Sequence, residues 1–109
     1  MTEELDEDGR PCPPPPVFEG GEFRELKIVN RKGLHARATA KFVQCVDQFD
    51  AEIRVTRCGE TVGGDSIMGI LTLGAAMGST ITVSAIGADA AAALDALAEL
   101  IASRFGEDE

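Results

Sequence analysis

Tryptophan and tyrosine are absent, acidic residues outnumber Lys and Arg by 19 to 10, and histidine occurs once. Without stacking aromatics or a basic stripe, the chain lacks the usual means of holding a nucleic acid. No apolar run approaches the roughly 20 residues that a membrane span requires, and the acidic start is the reverse of a secretory leader. A soluble, cytoplasmic protein is expected, with no nucleic-acid partner and no membrane insertion. The three cysteines, Cys12, Cys45 and Cys58, are odd in number and lack the paired short spacings of a zinc or redox site. They read as reduced structural thiols, so no metal and no cofactor is expected. A chain of 109 residues has room for one core and none for a second catalytic domain.

What is present falls into three stretches. Residues 1–22 carry Glu3, Glu4, Asp6, Glu7, Asp8, Glu19 and Glu22 against the single Arg10, with a proline run from Pro13 to Pro16. Such a segment buries too little apolar surface to repay its ordering entropy, and a stiff, solvated, flexible tail is expected. Residues 107–109 form a second acidic end. Between them, residues 23–106 hold nine acids and nine bases, so the net charge of −9 resides in the ends.

Within 23–106, alternation of Leu26 and Ile28 with charged neighbours predicts a strand over Phe23–Asn30. A helix follows from Ala36 to about Asp47, with Ala40, Val43 and Val46 turned inward. Ala51–Arg57 and Glu60–Gly63 read as a hairpin around Cys58-Gly59, with Ile53, Val55 and Val62 inward and Gly59 supplying a positive φ. A short helix is expected from Ser66 to Leu73, then a strand over Thr80–Ala85. The last helix, from Asp89 to about Phe105, places Leu94, Leu97, Ala98, Ile101 and Phe105 on one face. The order β-α-β-β-α-β-α predicts an α+β fold: a two-layer, open-faced sandwich with a four-stranded, mainly antiparallel sheet covered on one face by three helices.

His35 lies between the strand-breaking Gly33-Leu34 and the start of the first helix. A helix N-terminus exposes free N–H groups and about half an elementary positive charge, which together form an anion site. The same field favours a neutral imidazole with a lone pair free to act as a nucleophile. A phosphoryl group on His35 would then meet the amides of Ala36 and Arg37, with the Arg37 guanidinium as its charged partner.

Two stretches carry a family resemblance that spans about Phe23 to Phe105. Gly33-Leu34-His35-Ala36-Arg37 resembles the active-site signature of the HPr phosphocarriers of the bacterial phosphoenolpyruvate-dependent phosphotransferase system. Ser66-Ile67-Met68-Gly69-Ile70-Leu71-Thr72-Leu73-Gly74 resembles the family's second signature, around its regulatory serine. The resemblance implies that His35 takes phosphate from enzyme I and gives it to an enzyme IIA domain, as a stoichiometric relay rather than a turnover enzyme, with Arg37 neutralising the phosphoryl oxygens. It also implies phosphorylation of Ser66 where an HPr kinase/phosphorylase exists. In place of the family's usual Pro after Arg37 stands Ala38, which looks more like the nitrogen-related or regulatory branches.

Ile70 and Leu73 of the short helix suit the core, which leaves Ile67, Met68 and Leu71 as an outward patch for docking partners. A monomer is expected. Two other readings remain at this point: an HPr-like regulatory docking module without phosphorelay, favoured by Ala38 but making no use of His35, and a metal-binding or hydrolytic protein. No triad or paired carboxylates point at His35 in support of the latter.

Overall fold

A computed structural model of the chain describes residues 11–14, 16, 18 and 20–107. In chain order the elements are β1 (Glu22–Lys27), α1 (Ala36–Val46), β2 (Glu52–Arg57), β3 (Glu60–Gly63), α2 (Ile67–Thr72), β4 (Thr80–Ile86) and α3 (Ala90–Ala102), followed by a 3-10 turn at Arg104–Gly106. The four strands form one sheet in the order β1-β4-β2-β3, antiparallel at every pairing. The expected open-faced α+β sandwich is the one observed. The flexible tail expected over residues 1–22 falls in large part on residues 1–10, 15, 17 and 19, outside the described residues, as do Asp108 and Glu109.

Period-two alternation builds the sheet. Ile53, Val55, Ile81, Val83 and Ala85 face the helices and are buried. The hairpin turns at Cys58 and Gly59, both with positive φ (47° and 85°), the conformation that matches the twist of the flanking strands. Gly59 adopts it at no steric cost, whereas Cys58 does not.

α1 presents a different face from the one expected. Ala38, Thr39, Phe42 and Val46 are buried, while Ala40 and Val43 are only half-buried. Rotating the stripe by one position sends Phe42, the largest side chain on the helix, to full burial, and truncating such a side chain to Ala costs about 3–5 kcal/mol. In α3, Leu94, Leu97 and Ile101 are buried as expected, joined by Ala90 and Ala93, with Ala98 half-buried. The helix stops at Ala102 rather than Phe105, because Arg104, Phe105 and Gly106 all take positive φ (59°, 55° and 76°) and turn the chain back. Burial of the Phe105 ring and a hydrogen bond from Lys41 Nζ to Phe105 O hold that reversal in place.

The cysteines correct the sequence reading. Cys12 and Cys58 form a disulfide, with Cα atoms 4.6 Å apart, and only Cys45 is free. The pair escaped notice because the two residues are 46 positions apart in sequence.

Candidate functional site

The turn after β1 is built on Asn30, which is fully buried; its Nδ2 donates to Gly33 O (2.8 Å), while Gly33 N–H donates to Asn30 O (3.2 Å). Gly33 has φ +66°, and a side chain there would collide with the backbone of Ala75 and Ala76. This close approach lets Leu34 N–H donate to Ala75 O (2.9 Å) and fixes where the chain enters α1. His35 is the N-cap residue, with extended φ/ψ and no capping bond from its side chain. The first bond of the helix runs from Thr39 N–H to His35 O (2.9 Å), so the amides of Ala36, Arg37 and Ala38 precede the hydrogen-bonded ladder.

The imidazole is instead held by a residue that composition assigns to the acidic end of the chain. His35 Nε2 lies 2.6 Å from Glu107 Oε2, and Asn30 Nδ2 donates to Glu107 Oε1 at 3.0 Å. The two side chains are largely shielded, with 28% of His35 and 16% of Glu107 exposed. Hydrogen bonding to His35, then to Asn30, with the nearby charge of Lys32 adding, holds the Glu107 carboxyl below the ordinary carboxylate range despite its partial desolvation. A carboxylate at Nε2 accepts its proton, which fixes the tautomer that leaves the Nδ1 lone pair free.

Glu107 and Asn30 were both missed by sequence reasoning. The one available signal for Glu107 was Phe105-Gly106, an apolar residue and a glycine just past a helix, which marks a chain reversal. Arg37 is exposed and makes no ion pair with a described residue. Ala36 and Arg37 occupy the first turn, as the sequence implied.

Ser66 is the N-cap of α2, and its Oγ accepts from Gly69 N–H at 3.0 Å. Ile70 and Leu73 are buried beneath that helix, whereas Ile67 (43%) and Met68 (71%) are exposed, and Leu71 is half-buried. Met77, also exposed, adds an apolar side chain on the loop that backs the His35 turn. Among the described residues no group of His, Cys, Asp and Glu is arranged to hold a metal ion.

An oriented imidazole at an open helix start, on an open-faced antiparallel sandwich, is the architecture of a histidine phosphocarrier. The structure of HPr-C-His from Thermoanaerobacter tengcongensis superposes with a TM-score of 0.78 at 41% identity, covering 81% of this chain and 99% of that one. The family model described as PTS HPr component phosphorylation site matches residues 23–103. Phosphocarrier protein HPr of Cupriavidus necator is 46% identical over 86 residues, 79% of this chain and 97% of that protein. Phosphocarrier protein NPr of Shewanella violacea is 42% identical over 84 residues, 77% of this chain and 92% of that protein. The chain belongs to the HPr family of phosphocarriers of the phosphotransferase system.

Proposed function

We propose that His35 accepts a phosphoryl group on Nδ1 from phosphorylated enzyme I and passes it to an enzyme IIA domain. The observation that carries this reading is the 2.6 Å contact between His35 Nε2 and Glu107 Oε2, which engages one ring nitrogen and leaves the other as the nucleophile. As Nδ1 attacks phosphorus, the bond from phosphorus to the donor breaks and its electron pair stays on the donor. The imidazole, still carrying its proton on Nε2, gains positive charge, which the Glu107 carboxylate offsets. The phosphoryl oxygens meet the amides of Ala36 and Arg37 and the Arg37 guanidinium. Transfer to the acceptor reverses these steps.

Ile67, Met68 and Leu71 serve as the docking surface for both partners, beside the site. Phosphorylation of Ser66 by an HPr kinase/phosphorylase places about two negative charges at the start of α2, within that surface, and disfavours acidic partners there. The protein works in the cytoplasm as a monomer; among the described residues no helix is long and apolar enough to cross a membrane. A purely regulatory docking role is less favoured, because it gives no use to an imidazole oriented by a carboxylate.

The test is incubation of the protein with purified enzyme I and phosphoenolpyruvate, read by intact mass. One acid-labile phosphate, absent from His35→Ala, is expected. An unmodified mass with an enzyme I active on its own carrier overturns the relay.

A further inference from the structure

Before β1, the described residues Cys12, Pro13 and Phe18 each meet the sheet or its β2–β3 turn. Cys12 is bonded to Cys58 in the β2–β3 turn, and Pro13 lies against Gly59, where a Cβ would come within 3.1 Å of its Cγ. Farther on, the ring of Phe18 sits 4.3 Å from the guanidinium carbon of Arg54. Strand alternation turns Arg54, with Thr56, Thr82 and Ser84, away from the helices. Although no helix covers that face, Thr56, Thr82 and Ser84 are buried. Gly21 N–H then donates to Phe18 O (3.1 Å) in a turn that leads into β1. Pro16 and Phe18 also line a cleft of about 660 Å³ together with Arg54 and with Phe49 and Val62, two residues that pack against the core.

We propose that Cys12 and Cys58 form a reversible dithiol–disulfide site whose oxidised state fastens this strap over the helix-free face and whose reduction by a small thiol releases it. Both sulfurs belong to half-buried residues in irregular backbone, within reach of a small reagent. In opening, the thiolate of one small thiol attacks a sulfur of the pair. The S–S bond breaks to a mixed disulfide and a protein thiolate, which takes up a proton. A second small thiol attacks the mixed disulfide, so two thiols become one small disulfide while the protein gains two electrons and two protons as two S–H groups. Closure is the reverse, with the small disulfide as oxidant.

Cys45 does not compete. It lies on α1, half-buried, and burial pushes its thiol above the ordinary range, which keeps the reactive thiolate scarce. Once the bond opens, the stack of Phe18 on Arg54 and the contact of Pro13 with Gly59 are weak anchors for a segment of this length. The site does not depend on the role of His35, since its readout involves no phosphoryl transfer.

The test equilibrates the full chain against stepped ratios of reduced to oxidised glutathione, followed by acid quench, denaturing alkylation and intact mass. Labels are expected to fall from three to one in a single two-thiol step, with Cys45 the residue still labelled. Hydrogen exchange at the amides of Phe18, Gly20 and Gly21 should be at least tenfold faster in the reduced protein. Cys12→Ser, with two cysteines left, should exchange as fast as the reduced protein at every ratio, with an unchanged circular dichroism spectrum to show that the domain is folded. Three labels at every ratio overturn the proposal, as does a bond that closes without slowing exchange.

Discussion

The starts of α1 and α2 are built alike in the backbone and oppositely in the side chain. In both, the N-cap residue has extended φ/ψ, and its carbonyl accepts the first helical bond: Thr39 N–H to His35 O at 2.9 Å and Ile70 N–H to Ser66 O at 3.0 Å. Ser66 then closes its own helix by accepting from Gly69 N–H. His35 turns away to Glu107 and leaves the first turn of α1 open. An uncapped start costs a helix about 1 kcal/mol relative to a good cap, so on the proposed relay the fold forgoes stability at the end that would receive the phosphoryl group of His35 and keeps it at the other.

The largest effect that tests this contrast is at the open end. His35→Ala should abolish phosphorylation by enzyme I and cost about 1 kcal/mol of stability for the lost hydrogen bond to Glu107, with no cap bond to lose besides. Phosphate retained on the variant would move the acceptor elsewhere. Next, Arg37→Ala should slow transfer about 10–100-fold, the worth of roughly 1.5–3 kcal/mol for a hydrogen bond to a charged group, with little change in stability. Rapid-quench phosphorylation kinetics would reveal it, and an unchanged rate would remove Arg37 from the site.

At the closed end the signature inverts. Ser66→Ala should cost about 1 kcal/mol and lower the melting temperature by about 4–8 °C, while His35 remains phosphorylatable. Calorimetry beside the phosphorylation assay separates the two. The smallest effect concerns Glu107. Its folded pKa lies below its unfolded value, so its contribution to stability is present above an unfolded value of about 4.3 and is lost as pH falls through the lowered folded value. In Glu107→Gln the acid limb of stability should shrink, and an NMR titration of the parent carboxyl should give a midpoint below the usual range.

The contrast was half legible in the sequence. Alternation in β2 and β4, the glycine at Gly59 and the breaker Gly33-Leu34 are local signals, and they located the sheet, the hairpin and the mouth of α1 because each depends on neighbours within a few residues. The start of the short helix at Ser66 was legible for the same reason, serine being favoured at helix starts. Phe42 was misjudged because several stripes fit an eleven-residue helix, and only packing against the sheet selects one. Phe105-Gly106 signalled a reversal but not the place of Glu107, which depends on Arg104 and Phe105 adopting positive φ, a conformation that their residue types disfavour and tertiary contacts impose. Cys12 met Cys58 through a path of the chain that no spacing rule encodes.

That bond has a further consequence, in polymer terms. It closes a ring from residue 12 to residue 58 that threads β1, α1 and β2 onto one covalent circle. In the chain-entropy view, a ring of this size withdraws about 4 kcal/mol of conformational freedom from the unfolded ensemble. With the ring closed, β1 and β2, which do not pair with each other but flank β4, stay close together before β4 arrives between them. The assembly of the sheet's centre thereby changes from a search along a linear chain into the insertion of one strand into a preformed loop.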